Sequence, residues 1–354
     1  MSSSPKRTKP NPESHGVLVA VIGYTGGVGT CLLSAMERIN LQPYALARSS
    51  TMTLDASGSN AEAIPLNYDQ LASSLQDAAK AKSLTPVIAD VTASDAVQEQ
   101  YESWLQRGIS IATANKGIFA GAEQKYQSLL SAAKADPSCH LLHETTVGAG
   151  LPVLGTLAQL QASSHTILKV EGILSGTLAY VLGAVSGGKE TFSKAVLKAK
   201  ELGYTEPDPR MDLGGVDVAR KAVILARVSQ MTGVELEKLN IESLVPKALE
   251  SCSVDEFMQK LGEYDEDFAK RVAQVEATPG QRLHYAASID VSKKQVTVGP
   301  MAFEASHPFN SAGPDNLVAI TTNFYSRPLV VQGAGAGGDV TATGVLADIL
   351  LCAS

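Results

Sequence analysis

The run 16–22 (GVLVAVI) is apolar at every position and leads without a break into a glycine-rich turn at 23–29 (GYTGGVG). A valine-rich run with no polar alternation suits a parallel strand covered on both faces. Cys31, Leu32, Leu33 and Met36 follow at the spacing of a buried helix face. Strand, glycine turn, helix is the context in which small residues let the backbone approach a pyrophosphate and the helix N-terminus favours its charge. The spacing is GxxGxxG where the usual fingerprint is GxGxxG, and any tight turn asks for glycine, so the flanking strand and helix carry the inference. Gly23, Thr25, Gly26, Gly27 and Val28 are the candidate cofactor contacts.

Segments 43–47 (PYALA), 86–89 (PVIA, ending at Asp90), 108–112 (GISIA) and 140–143 (HLLH) read as further strands. Helical stretches lie between them, 95–107 for example, and this alternation predicts a doubly wound parallel α/β sheet of Rossmann type. After Gly150 the texture changes. A strand at 170–174 precedes a helix with Phe192, Ala195, Val196 and Ala199 on one face and Gly203 as its cap; a second helix covers 216–231. Strands at 284–289, 295–298, 317–322 and 329–331 complete a second, α+β domain with a mixed or antiparallel sheet. A chain of 354 residues with 44% hydrophobic content suits two cores.

Several classes are disfavoured. Aromatics make up 5% of the chain with one Trp, and the net charge is −7, which argues against a nucleic-acid partner. No apolar run approaches the roughly 20 residues of a membrane helix. Residues 1–15 are polar, basic and proline-containing, without the apolar core of a secretory signal, and read as a disordered tail. Cys31, Cys139, Cys252 and Cys352 are scattered with no metal spacing, which suits a reducing, cytoplasmic setting.

The second strand should end at the residue that reads the adenosine ribose. Here it runs Leu46-Ala47-Arg48-Ser49-Ser50, with no acid until Asp55. Arginine with hydroxyls suits a 2′-phosphate, so NADP is expected over NAD, unless Arg48 is simply a solvated loop cation. The later turn 333–338 contains GxGxxG, with Gly335 and Gly337 the candidate contacts. A second loop against the cofactor and a close helix–strand contact both explain it.

Residues 203–212 (GYTEPDPRMD) form a stiff acidic loop, restricted by Pro207 and Pro209. Asp217 and Lys221 follow, four apart on one helical face. An exposed pair of this kind contributes a few tenths of a kcal/mol. However, Val218, Ala219, Ala222, Val223, Ile224, Leu225 and Ala226 make the helix nearly apolar all round, and a charged pair there is costly unless used. Glu206, Asp212, Asp217 and Lys221 together would hold a small zwitterion, and the lysine could donate a proton as hydride arrives at a carbonyl. No histidine has an obvious catalytic context; His15 falls in the tail, and His140, His143, His165, His284 and His307 read as structural.

These motifs (GYTEPDPRMDLGGVDVARK, HETTVGAGLPVLGTL, EGILSGTLAY, ISIATANK and VVQGAGAGGDVTATGVLADIL) resemble homoserine dehydrogenase, especially the short, monofunctional fungal type, from about Val17 to the C-terminus. The resemblance implies reversible, NAD(P)-dependent interconversion of L-aspartate 4-semialdehyde and L-homoserine, towards threonine, isoleucine and methionine. It implies Lys221 as acid–base catalyst and Lys116 as a second lysine near cofactor and substrate. It implies Glu206, Asp212 and Asp217 around the substrate amine, with Gly176 and Gly203 in substrate loops. It implies a sodium ion held by Glu144 and the carbonyls of Val147, Ala149 and Leu151. It also implies that 332–354 rejoins 16–150 as one nucleotide domain, that 151–331 binds substrate and makes a homodimer, and that no regulatory domain follows. Two departures stand out. The first turn is one residue longer than the family's usual form. Val91-Thr92-Ala93-Ser94 stands where fungal members commonly have Asn-Thr-Ser, so the nicotinamide-side contact at Val91 would be lost or made by backbone, with Thr92 beside it a candidate cofactor contact. Two rivals remain: an aspartate-semialdehyde dehydrogenase, which needs a nucleophilic cysteine that no substrate motif here contains, and a nucleotide-sensing protein without chemistry.

Overall fold

The computed structural model describes residues 15–56, 61–311, 313 and 315–353, so the expected tail lies outside the described residues except for His15. His15 is not loose: its Nε2 is 2.9 Å from the Ile39 carbonyl. The chain divides into two compact units, Leu151–Gly335 and the residues on either side of it.

In the first unit, β1 (Val17–Ile22) is buried at all six positions, as its unbroken apolar run requires. The other strands are β2 (Pro43–Ala47), β3 (Thr51–Thr53), β4 (Ala63–Pro65), β5 (Thr85–Asp90), β6 (Ser110–Thr113) and β7 (Leu141–Leu142), in the order β4-β3-β2-β1-β5-β6-β7. From β2 to β7 the pairing is parallel, and β3 and β4 extend it as an antiparallel edge ribbon. The chain leaves β1 first to one side and then to the other, which opens the crevice where doubly wound folds bind ligands. The predicted helix at 95–107 is two short ones, Asp95–Gln98 and Tyr101–Gln106, because Gln100 N–H turns back to the Val97 carbonyl. The C-terminal helix, Gly338–Leu351, returns to this unit; Ala342, Val345 and Ile349 share a core with Val19, Val21, Leu32 and Met36.

The second unit holds an antiparallel sheet of β8 (Ile167–Ile173), β9 (Arg282–Asp290), β10 (Gln295–Phe303), β11 (Asn316–Thr322) and β12 (Leu329–Gly333), in the order β10-β9-β8-β11-β12. Its helix Val216–Val228 buries nine residues and stops three short of the predicted Met231, where Gln230 takes a left-handed φ of 65°. Gly215, at φ 72°, starts that helix against the Tyr285 hydroxyl, leaving no room for a side chain. Among the described residues no helix is long and apolar enough to cross a membrane.

Candidate functional site

At the end of β1, Gly23 has φ 91°, and its N–H donates to the Ala47 carbonyl at 2.8 Å. A Cβ there would lie 2.6 Å from Thr92 Cγ2. The turn therefore brings the ends of β1, β2 and β5 together, and with them Arg48 and Thr92. Gly26 caps the helix Gly27–Arg38; Thr25, Gly26 and Gly27 are exposed and Val28 is half-buried. A Cβ on Gly29 would strike the backbone of Gly23 and Tyr24, whereas one on Gly27 would meet nothing within 4 Å. Gly29 is thus a packing glycine and Gly27 borders open space. Arg48 is exposed directly after β2, with Nε donating to Thr51 Oγ1 at 2.8 Å.

A buried network ties Thr92 to Asn115, the residue before Lys116. The Asp90 carboxylate, fully buried, accepts from Tyr101 OH at 2.6 Å, Thr92 N–H at 2.8 Å and Asn115 Nδ2 at 3.3 Å. Burial pushes its pKa up, and those donors oppose the rise. Asn115 also donates to the Ser94 carbonyl at 3.0 Å and accepts from Gly117 N–H at 3.0 Å, bracketing Lys116, which is half-buried. Sequence reading placed Asp90 only as a strand end and did not single out Tyr101. An acid closing a buried apolar strand was the available signal.

The C-terminal glycine turn has packing reasons of its own. A side chain on Gly335 would fall on Asn316, and Gly338 sits close enough that its Cβ would be 3.3 Å from the Gly27 carbonyl. Gly337 has φ 123°. The expected cation loop begins with a 3-10 turn, Glu144–Thr146, followed by left-handed Gly148 (φ 79°) and Ala149 (φ 53°). Val147 and Ala149 are buried, and Leu151 opens the second unit. Glu144 N–H donates to Asp348 Oδ2 at 3.0 Å. Burial first, and the negative charge of Glu144 in addition, push the Asp348 pKa up to about 7. Among the described residues no group of three or more His, Cys, Asp or Glu is placed to hold a metal; a site of one carboxylate and backbone carbonyls needs none.

In the second unit, the Lys221 Nζ lies 2.7 Å from Asp217 Oδ2 and donates to the Leu174 carbonyl at 2.6 Å. The lysine side chain is 10% exposed and the aspartate 50%, so this is not a solvated surface pair. Leu174 runs into Ser175, which caps the helix Gly176–Val185 by accepting from Leu178 N–H. Thr177 on that helix shares its one hydroxyl hydrogen between the Tyr204 carbonyl at 2.5 Å and Asp212 Oδ1 at 3.2 Å. Glu206 N–H donates to Asp212 Oδ2 at 2.9 Å, and Gly203, at φ 72°, lets the chain turn into this loop. Burial pushes the Asp212 carboxyl above its ordinary range, and the negative charges of Glu206 and Asp217 add to the rise. The SGT segment and the acidic loop therefore meet around one half-buried carboxylate, and the Leu174 carbonyl ties the lysine helix to the start of the same segment. Thr177 and the Leu174 carbonyl were not singled out from sequence, since both reach across the fold to their partners. A cavity of about 830 Å³ elsewhere on this unit, lined by Lys169, Glu171, His307 and Arg327 among others, contains none of these residues. Burial raises the Cys139 and Cys352 thiols to about 11 and about 12, so neither is a ready nucleophile.

Two family models match: one described as homoserine dehydrogenase at residues 152–350, one as homoserine dehydrogenase, NAD binding domain, at residues 24–144. The homoserine dehydrogenase of Saccharomyces cerevisiae is 39% identical over 94% of this chain and 97% of its own length. The bifunctional aspartokinase/homoserine dehydrogenase 1 of Zea mays chloroplasts is 41% identical over 95% of this chain, which spans only 38% of that protein. A crystal structure of a Candida auris protein of unknown function superposes with a TM-score of 0.86 at 36% identity, covering 95% of this chain and 98% of that one.

Proposed function

The chain belongs to the homoserine dehydrogenase family, and from that premise we propose that it catalyses the reversible, NADP-dependent reduction of L-aspartate 4-semialdehyde to L-homoserine, on the route to threonine, isoleucine and methionine. The observation that carries this reading is the mostly buried Lys221 ammonium, held by Asp217 and by the carbonyl of Leu174, the residue that leads into the segment whose Thr177 reaches Asp212. When bound, the reduced nicotinamide supplies the hydride to the aldehyde carbon. Lys221 gives a proton to the aldehyde oxygen, which becomes the hydroxyl, and takes it back in the oxidative direction. Glu206, Asp212 and Asp217 hold the substrate ammonium and fix its distance from Nζ, with Gly176 and Gly203 shaping the substrate loops. Lys116, whose backbone is spanned by the hydrogen bond from Gly117 N–H to Asn115 Oδ1, adds positive charge where the oxygen becomes negative.

The residues present fit a dinucleotide. Gly27 leaves open space beside a helix N-terminus, where Gly23, Thr25, Gly26 and Val28 offer backbone to a pyrophosphate. Arg48 would receive the 2′-phosphate, Thr92 would serve the nicotinamide side, and Gly335 and Gly337 would offer backbone to the cofactor from the far end of the chain. Glu144 and the carbonyls of Val147, Ala149 and Leu151 form an all-oxygen donor set, which suits sodium; the cation would order this loop by neutralising Glu144. The second unit makes a homodimer.

The deciding assay is NADP⁺-dependent oxidation of L-homoserine by the purified chain, followed at 340 nm beside an active control enzyme. Turnover with homoserine is expected. Absence of turnover beside an active control would overturn the reading.

A further inference from the structure

We propose that Arg210 is a positioning residue for the substrate, a clamp that fixes the loop presenting Glu206 and Asp212; this rests on the homoserine dehydrogenase reading. Its guanidinium works in two directions. Nε donates to both Asp208 oxygens at 3.0 and 3.1 Å, and Nη2 to Asp208 Oδ2 at 2.8 Å. Nη1 donates to three carbonyls of another segment: Leu249 at 3.2 Å, Glu250 at 3.1 Å and Cys252 at 2.7 Å. The guanidinium carbon lies 5.5 Å from the centroid of the Phe257 ring, which is fully buried.

The loop is thus tied at both ends. Tyr204 N–H donates to the Ala199 carbonyl at 2.9 Å, and the Tyr204 carbonyl accepts from Thr177. At the other end Arg210 opens the short helix Arg210–Leu213, which carries Asp212, and Leu213 accepts from Leu244 N–H at 2.9 Å. Between the ties, Pro207 and Pro209 have fixed φ, so few torsions remain. Glu206 is exposed. Its position is inherited from the backbone, which Asp212 holds at the Glu206 N–H and which Arg210 anchors at the C-terminal end of the loop. Only a planar fork with five donors can serve a carboxylate and three carbonyls at once; a lysine offers one compact charge.

The test is Arg210→Lys in the full chain, with KM for homoserine and for NADP⁺, kcat, Tm, and hydrogen exchange of residues 200–215. Expected are a homoserine KM raised roughly ten-fold or more, an NADP⁺ KM within about two-fold, a kcat that falls less than KM rises, and exchange at 204–212 faster by roughly ten-fold with the rest of the chain unchanged. A homoserine KM within about two-fold of wild type overturns the clamp, as does a rise of both KM values together. Should Arg210→Lys lose its cooperative melt, Asp208→Asn decides: it keeps the carbonyl contacts and breaks only the charge pair. A homoserine KM raised about three-fold supports the clamp and an unchanged one overturns it. If wild type does not turn over homoserine, the enzymatic reading falls by itself. Exchange then decides the clamp, and wild-type protection of 204–212 in Arg210→Lys overturns it.

Discussion

Lys221 and Asp217 meet at 2.7 Å one helical turn apart, the lysine nearly enclosed and the aspartate half in solvent. The asymmetry decides what each deletion should do. Lys221→Met removes the proton donor and leaves a carboxylate that water can still reach, so kcat should fall about a hundred- to ten-thousand-fold with a small change in Tm. Asp217→Ala leaves a mostly buried ammonium short of a carboxylate, and should lower stability further, by about 1–3 kcal/mol. Steady-state kinetics and thermal melts of the two variants check both halves. Near-wild-type kcat in Lys221→Met would remove the lysine from the chemistry.

The Asp212 carboxyl should set the acidic limb of the pH profile. Only its ionised form attracts the substrate ammonium, and burial with two neighbouring acids raises its pKa, so kcat/KM for homoserine should begin to fall at a higher pH than for an ordinary aspartate. The Thr177 hydroxyl donates to the ionised form and so holds this pKa down. Thr177→Val removes that donor, the pKa should rise, and the acidic limb should move to higher pH. Movement to lower pH, or none, contradicts the assignment of the limb to Asp212.

Arg48 should decide between the two dinucleotides. It stands exposed at the end of β2 where NAD-specific folds place an acid, and its Nε is anchored on Thr51. Arg48→Ala should cut kcat/KM for NADP⁺ by about ten-fold or more and leave the value for NAD⁺ nearly unchanged. Equal use of both cofactors by wild type would sink the preference before any variant is made.

Legibility followed the range of the interactions. The run PYALA is β2 residue for residue, and GVLVAVI is β1 but for its first glycine, because burial on both faces is written into each residue of such a strand. The spacing of Asp217 and Lys221 was readable because a helix brings positions four apart together. The strands β3 and β4 are three residues each, too short to show a period, and they join the sheet through backbone pairing. The Asp90 carboxylate takes its Tyr101 and Asn115 partners from 11 and 25 residues away, and Arg210 takes three carbonyls from 39 to 42 residues away. Such contacts exist only once the fold has formed, and no local spacing encodes them. His15 was misplaced for the same reason, since its partner Ile39 lies 24 residues on.

The glycine turn after β1 contains two glycines that look alike in sequence and should behave oppositely. A methyl on Gly29 would enter the backbone of Gly23 and Tyr24, so Gly29→Ala must push the helix off the strand and should lower Tm by several degrees or more. A methyl on Gly27 meets nothing, and alanine is the better helix former, so Gly27→Ala should melt at or slightly above wild type. Yet that open space is where a pyrophosphate would lie against the backbone, so Gly27→Ala should raise the NADP⁺ KM about ten-fold while leaving the homoserine KM nearly unchanged. Thermal melts and KM values for both substrates separate the two glycines. A Gly27→Ala protein with wild-type cofactor KM would mean that the turn serves only to join strand to helix, and that the dinucleotide is held elsewhere.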